Sequence, residues 1–143
     1  MRRISWGVAL GALISSPAGA ACFLAVTPIT FDYNPISAVT STASGQIQVT
    51  CTLSSDSGVV YLSKGDSNDY SLRKMSGKDS KLNYNLFTSS TYSLVWGDGT
   101  GGTGTRAAAG RTTTILPVYG RIPGGQLVSG GSYTDAIIIT FTY

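Results

Sequence analysis

A chain of 143 residues with no histidine, two cysteines and seven acidic against ten basic residues has room for one domain. Every acid is an aspartate, so the Ser-His-Asp and Cys-His arrangements of nucleophilic catalysis cannot be built, and the commonest zinc ligand is missing. The formal charge of +3 shrinks to eight basic against seven acidic residues (10 − 2 against 7) once Arg2 and Arg3 are assigned to a leader. No basic stretch is interleaved with aromatics, as nucleic-acid binding requires. Two aspartates can in principle flank a glycosidic bond, but nearly all of these lie in Gly/Ser/Asn-rich contexts that read as turns. Neither an enzyme nor a cofactor is expected. Lys64, Arg73, Lys74, Lys78 and Lys81 gather in one stretch, interspersed with Asp66, Asp69 and Asp79, and read as a solvated face or hairpin tip.

The N-terminus has the layout of a secretory signal: Arg2 and Arg3, an apolar run over residues 4–14, then Ser15, Ser16 and Pro17, then the small residues Ala18, Gly19 and Ala20. The apolar run is shorter than the about 20 residues a membrane-spanning helix needs. Cleavage is expected after Ala20, dividing the chain into a signal peptide, residues 1–20, and a mature domain, residues 21–143, of 123 residues (143 − 20). Two alternatives stay open: an uncleaved anchor, and a lipoprotein signal, because Cys22 lies close to the cut. Against lipidation, Gly19 stands where such a signal prefers leucine, and Cys51 would be left as an odd thiol. No other segment is long and apolar enough to span a membrane. In an exported chain a Cys22–Cys51 disulfide is the default; it closes a loop of about 30 residues and stabilises by roughly 3.5 kcal/mol in the chain-entropy account.

The mature part reads as strands between turn signals, the pattern of a β-sandwich. Residues 22–33 form the first, broken by Pro28, so that it is an edge strand or one that switches sheets; which of its phases faces inward is left open. A Ser/Thr-rich loop over residues 37–44 precedes a clean alternation, with Ile47, Val49, Cys51 and Leu53 on one face and Gln46, Gln48, Thr50 and Thr52 on the other. Further strands are expected at residues 59–63, 70–75, 82–87, 94–96 and 112–122, with a Gly/Thr loop over 97–105. In the last, residues 133–143, Asp135, Ile137, Ile139, Phe141 and Tyr143 alternate with Ala136, Ile138, Thr140 and Thr142, and the first set faces the core from Ile137 on. This apolar strand runs to Tyr143, which raises the question of whether it has both lateral neighbours.

Five short runs then carry a resemblance: Tyr84-Asn85-Leu86-Phe87; Trp96-Gly97-Asp98-Gly99; Val118-Tyr119-Gly120-Arg121-Ile122-Pro123; Gly125-Gln126; and Gly131-Ser132-Tyr133-Thr134-Asp135 before the apolar strand. Together, in order, they resemble the spore coat protein U domain family, which includes subunits of archaic chaperone–usher pili. The resemblance covers residues 22–143, and the cysteine pair matches too. It implies an all-β, immunoglobulin-like antiparallel β-sandwich of six strands, incomplete because its final strand is missing. It also implies export to the periplasm, then the cell surface or pilus, and a role in adhesion or biofilm. The implied partners are a periplasmic pilus chaperone, an outer-membrane usher and a neighbouring pilin subunit, each engaged through donor-strand complementation, a form of β-augmentation. The groove that accepts the missing strand is expected to be lined by Phe23, Leu24 and Val26 of the first strand and Ile137, Ile139, Phe141 and Tyr143 of the last.

One departure stands out. Polymerising pilins carry an apolar N-terminal extension ahead of the first cysteine, whereas only Ala21 would precede Cys22 here, and a donor strand needs several residues at about 3.3 Å each. The chain is therefore expected to accept a strand without giving one, which places it at a fibre tip. The competing reading is a self-contained secreted binding domain, for a carbohydrate for example, with Trp96, Tyr92 or Tyr70 lining its site.

Overall fold

The computed structural model describes the backbone of residues 2–5 and 14–15, and residues 22–52, 57–110 and 112–143. Among these residues the structure is all strand and loop. Eleven strands follow in chain order: β1 (Arg2–Ser5), β2 (Ile14–Ser15), β3 (Cys22–Thr27), β4 (Thr30–Tyr33), β5 (Ser41–Cys51), β6 (Gly58–Leu62), β7 (Arg73–Ser76), β8 (Lys81–Phe87), β9 (Arg106–Ala108), β10 (Thr113–Ile122) and β11 (Ile139–Thr142). They build a five-stranded sheet in the order β3-β5-β10-β8-β7, a four-stranded sheet β2-β11-β6-β9, and a two-stranded pair β1-β4. All pairings are antiparallel except β2 with β11. The expected antiparallel β-sandwich is thus what the chain forms.

Alternation explains the layering. Ile47, Val49 and Cys51 of β5 are buried while the residues between them are half-exposed, as the period of two requires. Leu116, Val118, Gly120 and Ile122 do the same on β10. Between the sheets lie the largest fully buried side chains, among them Trp96, Tyr84, Phe31, Phe141 and Ile29. Phe31 and Tyr84 meet edge to face with ring centroids 6.5 Å apart, a favoured aromatic geometry. Gly120 sits mid-strand because Phe31 crosses it: a Cβ there would stand 2.3 Å from the Phe31 Cζ.

Pro28 divides the first expected strand, and the division resets its phase. Before it Cys22 is buried and Leu24 and Val26 are half-buried; after it the buried residues are Ile29, Phe31 and Tyr33. Even positions face inward up to residue 26 and odd ones from 29, so the break takes the chain out of the five-stranded sheet and into a pair with β1.

Four differences from the sequence reading have physical causes. Residues 41–44 are strand and not loop, because Ser41 to Gly45 pair with Ile122 to Val118 in a ten-residue ladder that overrides weak local propensity. The stretch 94–96 contributes only isolated bridges, Phe87 to Val95 and Trp96 to Gly104. The three-residue β9 carries no sequence signal and forms by pairing with β6. The last strand is regular only over Ile139–Thr142; upstream of it a bridge from Ser76 to Thr134 and side-chain contacts hold the chain in place of a ladder.

Candidate functional site

β4 and β11 each have one lateral side bordered by N-terminal residues alone. β11 pairs with β6 on one side, Ile139 opposite Leu62 and Thr142 opposite Val59. On its other side lies only the two-residue β2, running parallel, with Ile14 opposite Phe141 and Ser15 opposite Thr142. β4 belongs to neither main sheet and is bordered by β1, antiparallel, with Arg2 opposite Tyr33 and Ser5 opposite Thr30. Residues 2–5 thus border β4 and residues 14–15 border β11. Without them the backbone donors and acceptors on those two edges are unpaired, which is a template for an added strand.

The final strand is positioned by polar anchors. Asp135 is buried; its carboxylate accepts from the Asp66 amide at 2.9 Å, the Ala136 amide at 2.8 Å and the Tyr84 hydroxyl at 2.5 Å. The Ser63 amide donates to the Ile138 carbonyl at 3.0 Å and the Ile138 amide to Ser63 Oγ at 2.9 Å. Arg73, fully buried, in turn fixes Ser63: its Nε and Nη2 donate to the Ser63 carbonyl at 3.1 and 2.7 Å, Nη2 also to the Trp96 carbonyl at 2.7 Å, and Nη1 to Asn85 Oδ1 at 2.8 Å. Burial lowers the Arg73 pKa, and the ionisable groups of Tyr84, Tyr70 and Asp135 oppose that shift.

Burial raises the Asp135 carboxyl above the ordinary carboxylate range, against the three hydrogen bonds it accepts. A folded-state pKa above the unfolded one means that the fold binds this proton more tightly. Its stabilising share is complete below the ordinary carboxylate pKa and is lost as pH climbs through the raised value. Asp135→Asn should therefore remove a component of stability that grows on acidification. Urea unfolding at neutral and mildly acid pH should show the parent gaining on the variant as pH falls; a constant difference would contradict this.

The expected groove residues divide. Ile137, Ile139 and Phe141 are buried, and Tyr143, half-buried, stacks on Phe141 with centroids 5.0 Å apart and an interplanar angle of 21°. Leu24 and Val26 rest against the same core. Phe23 does not join them: it is 64% exposed on the outer face of β3, because the parity that buries Cys22 turns residue 23 outward. Cys22 and Cys51 form the expected disulfide, with Cα atoms 4.1 Å apart, so the Cys22 thiol is taken up. The cleavage motif at residues 18–20, and Leu53, lie outside the described residues.

The aromatics suggested for a sugar site are not brought together. Trp96 is fully buried, its Nε1 donating to the Val60 carbonyl at 3.0 Å. Tyr92 stands edge-on to Phe87, and Arg121 lies against both rings at 5.1 and 5.3 Å. Tyr70 donates to the Leu62 carbonyl, with Lys64 and Arg73 both within 5.4 Å of its ring centroid. Arg73 itself, read above as a solvated cation, is the hub of the buried network. Composition hid that role, but period-two alternation had already put Asp135 in phase with Ile137. Among the described residues no group of three or more Cys, Asp or Glu could hold a metal ion, and no helix is long and apolar enough to cross a membrane.

These features, an antiparallel two-sheet sandwich, a first strand broken at Pro28 and a cross-strand disulfide, define the class of fold. The fold is similar to the crystal structure of the CsuC–CsuE chaperone–tip adhesion subunit pre-assembly complex of archaic chaperone–usher Csu pili of Acinetobacter baumannii. The TM-score is 0.66 and the identity 17%, over 87% of this chain and 40% of that one. Protein U of Myxococcus xanthus is 32% identical over 106 residues, which make up 69% of this chain and 59% of the length of Protein U. The Spore Coat Protein U domain model matches residues 11–140, and the chain belongs to that family.

Proposed function

We propose that this chain is a subunit of a surface fibre built by a chaperone–usher pathway, and that it enters the fibre by accepting a strand between β4 and β11. The observation that carries this reading is the pair of edges on β4 and β11 that the chain's main strands leave to N-terminal residues, with residues 14–15 parallel to β11 and residues 2–5 antiparallel to β4. A strand from a periplasmic chaperone, and then from a neighbouring subunit, would meet the same backbone groups and cover Leu24, Val26, Ile137, Ile139, Phe141 and Tyr143. The usher, and passage from periplasm to cell surface, follow from the same pathway.

With processing after Ala20, one residue precedes Cys22, too few to make a donor strand. The subunit then accepts without donating and ends the fibre. Three exposed aliphatic side chains suit an adhesive role for such an end. Ile36 and Val39 in the β4–β5 loop and Leu127 in the β10–β11 loop are 84%, 74% and 88% exposed. Their loops are joined by the Gly125 amide donating to the Ser37 carbonyl at 2.8 Å.

Co-expression with its pathway chaperone in the periplasm tests the reading. A one-to-one complex should be recovered, and charged substitutions at Ile139 and Phe141 should abolish it. Recovery of the processed chain as a soluble monomer indifferent to the chaperone would sink the proposal.

A further inference from the structure

Among the described strands, six have a lateral side that no other strand occupies: β3 and β7 at the ends of the five-stranded sheet, β2 and β9 at the ends of the four-stranded one, and both members of the β1-β4 pair. Free edges recruit strands from other chains, and proteins blunt them with charge, brevity or proline. β7 is four residues long, carries Lys74 and is bridged at Ser76 by Thr134; β9 is three residues long and carries Arg106; β1 and β4 are four residues long with Arg2 and Arg3 on one and Asp32 on the other; β2 has two residues. β3 differs on every count. Its six residues, Cys-Phe-Leu-Ala-Val-Thr, contain neither charge nor proline.

The register fixes what this edge offers. Antiparallel partners alternate between hydrogen-bonded pairs, with Cα atoms about 5.5 Å apart, and non-hydrogen-bonded pairs at about 4.5 Å. Cys22 and Cys51 are partners at 4.1 Å, the narrow kind, and Leu24 opposite Val49 and Val26 opposite Ile47 share that class. In narrow pairs the N–H and C=O groups point away from the partner strand. The backbone groups of Cys22, Leu24 and Val26 therefore point to the open side of β3.

We propose that β3 is a homotypic pairing edge. Two copies of this chain join antiparallel about a two-fold axis at Leu24, fusing two five-stranded sheets into one. Leu24 exchanges both backbone bonds with its counterpart, and Cys22 does so with Val26 of the other copy, about six hydrogen bonds in all. On the outer face Phe23 then lies opposite the small Ala25 of the other copy, which gives an exposed ring a flat seat. Ile115, 54% exposed, continues this face two strands inward, since Ala25 pairs with Gln48 and Gln48 with Ile115. No charge on β3 opposes its own image, whereas a β7 or β9 edge would set like charges across the axis. The proposal rests on the edge alone and is independent of strand acceptance between β4 and β11.

Sedimentation velocity of the disulfide-bonded chain across about 5–200 µM, read with amide exchange, tests it. The parent should shift from monomer to dimer with concentration, and the Cys22, Leu24 and Val26 amides should gain protection in step. Phe23→Lys with Ala25→Lys places like charges opposite each other at two exposed sites and should weaken the dimer by about tenfold or more, whereas Phe23→Lys with Ala25→Asp should restore it. A monomer throughout the range would overturn the proposal. So would a dimer whose protection maps to residues 30–33 and 139–142, or one that ignores the charge pattern.

Discussion

A donor strand supplied in cis, as an alternating apolar peptide joined behind Tyr143 by a turn, should raise the melting temperature of the processed chain by about 20 °C. The estimate starts from the proposed strand-accepting site between β4 and β11, whose inward residues include Ile139, Phe141 and the half-buried Tyr143. Covering them with about four apolar side chains contributes about 1.5–3 kcal/mol each, or roughly 6–12 kcal/mol. That is comparable to the whole stability of a typical domain, about 5–15 kcal/mol. The unfilled chain should accordingly be marginal and prone to edge pairing. Thermal unfolding followed by circular dichroism measures the gain. The same peptide with aspartates at its inward positions is the control, because it can satisfy the backbone groups but not the apolar floor. Equal melting temperatures for the fused and unfused chains would mean that the sandwich is complete without a donor.

Arg73→Ala should cost about 3–5 kcal/mol, a loss typical of breaking a buried, hydrogen-bonded charge site. The guanidinium is fully buried and serves the Ser63 and Trp96 carbonyls and Asn85 Oδ1 at once. Removing it leaves those acceptors without their donor and opens a cavity beside Trp96. Arg73→Lys should recover only part of the loss, since one ammonium on a flexible stem cannot reproduce a planar fork that reaches three groups. The effect should spread to strand acceptance, because Ser63 also holds Ile138 through two hydrogen bonds at the start of β11. Urea midpoints for the three chains, with and without the fused donor, read both effects. A lysine variant as stable as the parent would show that charge alone matters at this position.

Much of this was legible in the residues. The alternation of Ile47, Val49 and Cys51, and of Ile137, Ile139 and Phe141, gave the inward faces of two strands, because in a half-buried strand the period of two is itself the burial pattern. Two cysteines allow one intrachain pairing, and five short runs carry the family resemblance. Side chains whose role depends on residues far away in sequence were not legible. Arg73 looked like one more cation in a polar stretch until folding brought the carbonyls of residues 63 and 96 to it. Phe23 was assigned to the groove because strand phase next to Pro28 depends on how the chain changes sheets there.

By itself, then, the sequence determined the class of fold, the disulfide and the apolar face of the last strand, all of which rest on local periodicity and composition. Tertiary structure alone decided which edges lie open, which polar groups anchor β11 and which way Phe23 points. Edges and buried networks are properties of strand neighbours, and those neighbours are set by long-range pairing that no local pattern encodes.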